Sequence, residues 1–146
     1  MMAPGPGRAG NRAVGKADTM RGLVMTHGGI GRELVNVIAM IMGEVSGLTA
    51  MSNHGKSAQD ITTEIKGWLA EEPGEHAVIF IDDYGGSCAN AAQLACGPEP
   101  QAAILSGVNL AMLLGFVTWR EGTEFPVLVR KLVDKGREAI TTVGVR

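Results

Sequence analysis

The sequence predicts an open α/β sheet, mainly parallel, with helices on both faces. Three observations predict it. Short apolar runs alternate with helix-period stretches from Leu23 to the C-terminal end. One run, Ala77-Val78-Ile79-Phe80-Ile81, is apolar at five successive positions, as in a strand covered on both faces. The 21 glycines of this 146-residue chain fall mostly at the ends of such runs, which suits short strand–helix loops better than low complexity. No internal repeat is evident, and the length suits one domain.

Leu23-Val24-Met25 reads as the first strand. Leu34, Val35, Ile38, Ile41 and Met42 then recur at helical spacing from Ile30, and Gly43 stops that helix. Val45 to Met51 forms a weaker second strand, followed by a loop at Ser52-Asn53-His54-Gly55. Ser57 and Asp60 have capping-box spacing, and Ile61, Ile65, Trp68 and Leu69 supply one helical face behind them. Pro73-Gly74 ends that helix before the central strand at Ala77–Ile81. A third helix runs from about Ser87 to Ala95, stopped by Gly97-Pro98. Ala102 to Val108 is a fourth strand and Leu110 to Trp119 a fourth helix. Thr123 is the expected cap of a last helix, with Pro126 in its first turn. Ile140 to Val145 is β-prone and is expected to form a terminal strand.

Composition narrows the function. Apolar residues make up 45% of the chain, enough for one core, while aromatics at 4% are too few for stacking on nucleic-acid bases. Arg8, Arg12 and Lys16 against Asp18 give the first 18 residues +2, which leaves −4 on the rest against a total of −2. A mildly acidic domain without a basic stripe argues against nucleic acid. Cys88 and Cys96 lie two helical turns apart, roughly 12 Å, too far for a disulfide, which fits a reducing, cytoplasmic setting. No Cys/His spacing suggests structural zinc. The stretch from Val108 to Trp119 is too short to span a bilayer. Residues 1–19, rich in Gly, Pro, Ala and Arg, read as a disordered tail, and 20–146 as the domain.

Two junctions carry the chemistry. Met25-Thr26-His27-Gly28-Gly29 places an imidazole where a strand hands over to a helix, and Asp82-Asp83-Tyr84-Gly85-Gly86-Ser87 places a carboxylate at the end of the central strand. Ligands of open α/β sheets bind beyond such strand ends. A neutral imidazole attacks phosphorus near pH 7 if one nitrogen is bare. A carboxylate accepting the other ring N–H holds that tautomer, and Asp82 is the candidate. Gly28, Gly29, Gly85 and Gly86 let backbone N–H groups close on phosphoryl oxygens, and Ser87 adds a hydroxyl. Transfer between histidines requires no metal and no cofactor. The plainer readings are a turn histidine, a strand-end cap at Asp82, a helix N-cap at Ser87 and an apolar filler at Cys88. His54 and His76 read as ordinary surface residues, with the crevice rim as the lesser alternative for His54.

Thr26-His27-Gly28 after the first strand, and Asp82 with Tyr84-Gly85-Gly86-Ser87 after the third, resemble the mannose-type enzyme IIA domains of the bacterial phosphoenolpyruvate-dependent sugar phosphotransferase system. Ser106-Gly107-Val108-Asn109-Leu110-Ala111-Met112-Leu113 resembles a further motif of that family after its fourth strand. The resemblance runs from about Arg21 to Val145. It implies that His27 takes a phosphoryl group on Nε2 from phospho-HPr and gives it to an enzyme IIB. Asp82 would hold Nδ1–H, and Ser87 with nearby amides would bind the phosphoryl oxygens. It also implies a cytoplasmic homodimer of strand order 2-1-3-4-5, linked through IIB to membrane IIC and IID subunits. Its last strand, here Ile140–Val145, would be antiparallel and exchanged between subunits. Cys88 and Ala111 stand where the family commonly has proline, and Asp83 and Tyr84 where Thr and Trp are frequent, so the rim of the site differs. The sugar is not legible.

Two rivals differ at specific residues, and a third does not. A dinucleotide-binding fold fits Gly29-Ile30-Gly31 but has Leu34 where a third glycine belongs. A receiver-like domain fits Asp82 but needs an acidic pair where Thr26-His27 stand. A phosphorylation-dependent regulator of the same family, serving no transporter, keeps the same chemistry.

Overall fold

Four apolar segments pair side by side in the computed structural model, which describes residues 20–98 and 101–144. In chain order the elements are β1 (Met20–Thr26), α1 (Ile30–Met42), β2 (Leu48–Ser52), α2 (Ala58–Ala70), β3 (His76–Ile81), α3 (Ser87–Cys96), β4 (Ala102–Ser106), α4 (Leu110–Trp119) and α5 (Phe125–Glu138). The sheet has order β2-β1-β3-β4 and every pairing is parallel. The proposed tail at 1–19 lies outside the described residues.

Alternation along the two central strands assigns each residue a side. Leu23 and Met25 of β1 and Ala77, Ile79 and Ile81 of β3 face α2 and α3, meeting Ile61, Ile65, Trp68 and Ala92. Val24, Val78 and Phe80 face the other way, onto Ile38 of α1, Leu113 and Phe116 of α4 and Leu128 of α5. Both faces are covered, so β3 needs apolar residues from Ala77 to Ile81. Phe80 and Phe116 meet edge to face at 5.4 Å.

The register positions the site. Met25 pairs with Ile81 and Thr26 with Ser52, so the residues just beyond β1, β2 and β3 emerge at one rim. The chain leaves β1 for β2 on one side and later crosses to β3 on the other, so this rim is the switch point of the sheet.

Several expectations are corrected. β2 begins at Leu48, not Val45, because the chain turns at Gly47 (φ +89°), whose carbonyl accepts the Gly22 N–H. β4 ends at Ser106 before the bend at Gly107. Glu124, not Thr123, is the N-cap residue of α5, with no side-chain cap; Pro126 lies in the first turn and the helix opens at Phe125. Residues 140–144 form no strand within this one chain, so the described sheet has four parallel strands, without the antiparallel fifth that a second copy was expected to pair. An exchanged strand takes its hydrogen bonds from a second copy, which a single chain does not offer. Val145 lies outside the described residues.

Candidate functional site

The site begins with the end of β1. Thr26 is fully buried, and its Oγ1 accepts the Gly31 N–H at 2.7 Å, which ties the strand end to the first turn of α1. The next residue, His27, is thereby turned out over the rim with its side chain 42% exposed. Asp82, one step past β3, receives it. The His27 backbone N–H donates to Asp82 Oδ2 at 3.0 Å, and His27 Nδ1 lies 3.0 Å from Oδ2 and 3.2 Å from Oδ1. Two loops separated by 55 residues thus close on one another.

These bonds decide charge and tautomer together. Burial works to raise the Asp82 pKa, but the backbone and side-chain bonds from His27, with the charge its ring carries when protonated, outweigh burial and hold it below the ordinary value. An ionised carboxylate only accepts, so Nδ1 carries a proton, and in the neutral ring Nε2 keeps its lone pair. That nitrogen faces Gly86: a Cβ there would stand 3.1 Å from Nε2 and 2.8 Å from Cε1. Gly86 is the N-cap residue of α3, and no side chain caps the first-turn N–H groups. The open nitrogen therefore lies beside a helix N-terminus whose donors are available to an anion.

The remaining glycines divide. Gly28 adopts φ +57°, a left-handed turn that glycine takes without strain, and its N–H is already committed to Asn53 Oδ1 at 3.1 Å. Gly29 is the N-cap residue of α1, whose first turn is already held at the Gly31 N–H by Thr26 Oγ1. Gly85 and Ser87 are exposed, and Ser87 is the first residue of α3, not its cap.

Asn53 is a site residue that sequence reasoning missed. Its own N–H bonds to the Thr26 carbonyl while its side chain holds Gly28. The only available signal was an asparagine just past β2, the strand beside β1. Cys88 is fully buried in the first turn of α3. Burial and then the Asp82 charge push its thiol pKa up, partly opposed by the Ser87 hydroxyl. His54 lines a cavity of about 300 Å³ with Gly28, Gly29, Arg32 and Ser52. His76 is no plain surface residue: its ring stacks on Phe125 with centroids 4.4 Å apart. Along the start of α1, an open apolar groove of about 550 Å³ runs between Gly29, Ile30, Glu33, Leu34, Val37 and Leu110.

A family model described as PTS system fructose IIA component, EIIA-man, matches residues 22–133. The chain is 30% identical over 112 residues to the PTS system fructose-specific EIIA component of Bacillus subtilis, covering 75% of this chain and 77% of that protein. It is 27% identical over 127 residues to the PTS system mannose-specific EIIAB component of Escherichia coli, covering 85% of this chain but 39% of the longer protein. Among solved structures, the mannose/sorbose specific IIA subunit from Enterococcus faecalis superposes with TM-score 0.77 at 24% identity, covering 88% of this chain and 97% of that one. An EIIA component from Streptococcus agalactiae gives TM-score 0.78 at 20% identity, with 85% and 97% covered. At these identities the two structures speak for the fold.

Proposed function

The chain belongs to the EIIA-man family of phosphotransferase-system components, and on that premise we propose that it carries phosphoryl groups on His27, from phospho-HPr to an enzyme IIB. The observation that carries this reading is the paired bond from His27 Nδ1 to Asp82, with Nε2 left open toward the N-terminus of α3.

In the forward step Nε2 attacks phosphorus in line, and the donor's nitrogen–phosphorus bond breaks as the new one forms. The donor imidazole leaves neutral and His27 becomes positive. Asp82 balances that charge and retains Nδ1–H throughout, so no proton has to move between the two residues. The transferred group adds about two negative charges, which the amides at Ser87 and beyond, with the helix dipole, favour by about 0.3–1 kcal/mol per interaction. Giving the group to IIB reverses these bonds. A low barrier in both directions is what a carrier requires.

The groove beside Ile30 supports a protein as donor and acceptor. It is open and apolar, with Ile30 half-exposed at its edge, and suits a packed protein surface better than a sugar. The proposed setting is the cytoplasm; among the described residues no helix is long and apolar enough to cross a membrane.

The test incubates the protein with phosphoenolpyruvate, enzyme I and HPr beside His27→Ala. Wild type is expected to take up one acid-labile, base-stable phosphate and the variant none. Label on the alanine variant, or base-labile label pointing to an acyl phosphate on Asp82, would refute the assignment.

A further inference from the structure

We propose that His27, Asp82 and Cys88 form a binding site for a thiophilic divalent cation such as Zn²⁺, and that the bound cation blocks phosphorylation of His27. An imidazole nitrogen, a carboxylate oxygen and the Cys88 Sγ all lie within 4.8 Å of one another. They come from the end of β1, the end of β3 and the first turn of α3, so spacing along the chain shows no metal motif.

The donor set selects the cation. A nitrogen, an oxygen and a sulfur ligand suit zinc or cadmium, whereas a thiolate is a poor ligand for magnesium or calcium. Bond lengths of about 2.0–2.3 Å in a tetrahedron put neighbouring ligand atoms about 3.3–3.8 Å apart, so the cluster must contract by roughly 1 Å. His27 is the member able to move, at 42% exposed against 17% for Asp82 and 0% for Cys88. Its open side supplies the entry path and a fourth position for water. On binding, the Cys88 S–H bond breaks, its proton passes to solvent and a sulfur–metal bond forms; nothing is oxidised or reduced.

The block follows from the electron count of imidazole. A neutral ring has one basic nitrogen, and ligation uses that lone pair while the other nitrogen keeps its proton. Whichever nitrogen binds the cation, none remains to attack phosphorus. This second half rests on the phosphocarrier reading; the binding itself does not.

The experiment titrates the full chain with Zn²⁺ by calorimetry and with Cd²⁺ by ultraviolet absorbance, where a cadmium–thiolate charge-transfer band reports sulfur ligation. Wild type and Cys96→Ala should bind one equivalent and show the band. In Cys88→Ala the band should vanish, and affinity should fall by more than the roughly 10–100-fold that loss of an outer partner costs. His27→Ala should weaken binding comparably, and Cys88→Ser serves if the alanine variant does not fold. In the phosphotransfer assay, zinc should stop labelling of wild type but not of Cys88→Ala. A band missing from wild type, or surviving in Cys88→Ala or Cys88→Ser, overturns the site. If metal-free wild type takes no label, the phosphocarrier reading fails, and the cadmium band still decides the metal site.

Discussion

Asp82 accepts from the backbone N–H of His27 and meets its ring at Nδ1, so one carboxylate bears on the direction, tautomer and charge balance of the histidine at once. Replacing it with Asn keeps the size but offers an amide where an anion stood. Asp82→Asn is expected to slow phosphoryl transfer by about 10²-fold or more with the fold intact, measured by rapid quench. Its effect on stability should depend on pH with a definite sign. A carboxyl whose folded pKa lies below its ordinary 3.8 contributes stability above that pH and loses it as acid protonates the folded form. Thermal melts should show the widest gap between wild type and Asp82→Asn near neutrality, closing below pH 3.8. A gap of constant size would deny the charged bond its role. Gly86 tests the other side of the ring. Its φ of −95° suits alanine, so strain there comes only from the added Cβ, 2.8 Å from the His27 ring. Gly86→Ala should cost about 1 kcal/mol of stability, yet slow transfer about 10²-fold by displacing the nucleophile. Equal rates would place the reacting nitrogen elsewhere.

At the scale of elements, local signals succeeded where side chain and backbone cooperate within a few residues. The Ser57–Asp60 capping box forms as its spacing predicts: Ser57 Oγ accepts the Asp60 N–H at 3.0 Å and Asp60 Oδ2 accepts the Ser57 N–H at 3.1 Å. Removing the hydroxyl by Ser57→Ala should lower stability by about 1 kcal/mol and leave transfer unchanged, as denaturant melts and the labelling assay would show. The other end of α2 has a cap that no local pattern reveals. Arg21, from β1, donates to the Trp68 carbonyl at 2.9 Å, stacks over the Trp68 ring at 4.1 Å and pairs with Glu75 at 3.0 Å. The start of α5 was misjudged for a related reason. Thr123 has the right chemistry for a cap, but the helix opens at Phe125 and puts the cap position at Glu124.

For the whole molecule, the exposed apolar side chains bear on assembly. Met40, Ile41 and Met42 at the end of α1 are exposed, and beyond α5 Ile140 and Val143 are 80% and 85% exposed. Among the described residues the β-prone 140–144 segment pairs with no strand, and the proposal to test is that it pairs with a second copy of the chain. Light scattering is expected to give twice the chain mass for wild type, and Ile140→Asp with Val143→Asp should give the monomer. A monomeric wild type would leave the segment as an unpaired extension of α5.

Much of this protein was legible before folding. Periodicity fixed the number and kind of the elements through α5, because covering a sheet on both faces demands unbroken apolar runs in the strands and striped helices around them. The two junction motifs also pointed to His27 and Asp82, since strand ends in such sheets open onto a crevice. Tertiary structure alone decided the rest. Asn53 and Cys88 join the site only because parallel register lifts the ends of β1, β2 and β3 to one rim and starts α3 beside them. Whether residues 140–144 pair as a strand is decided by a neighbouring edge, and hydrogen-bond partners between distant segments are set by packing, not by the residues' own propensities.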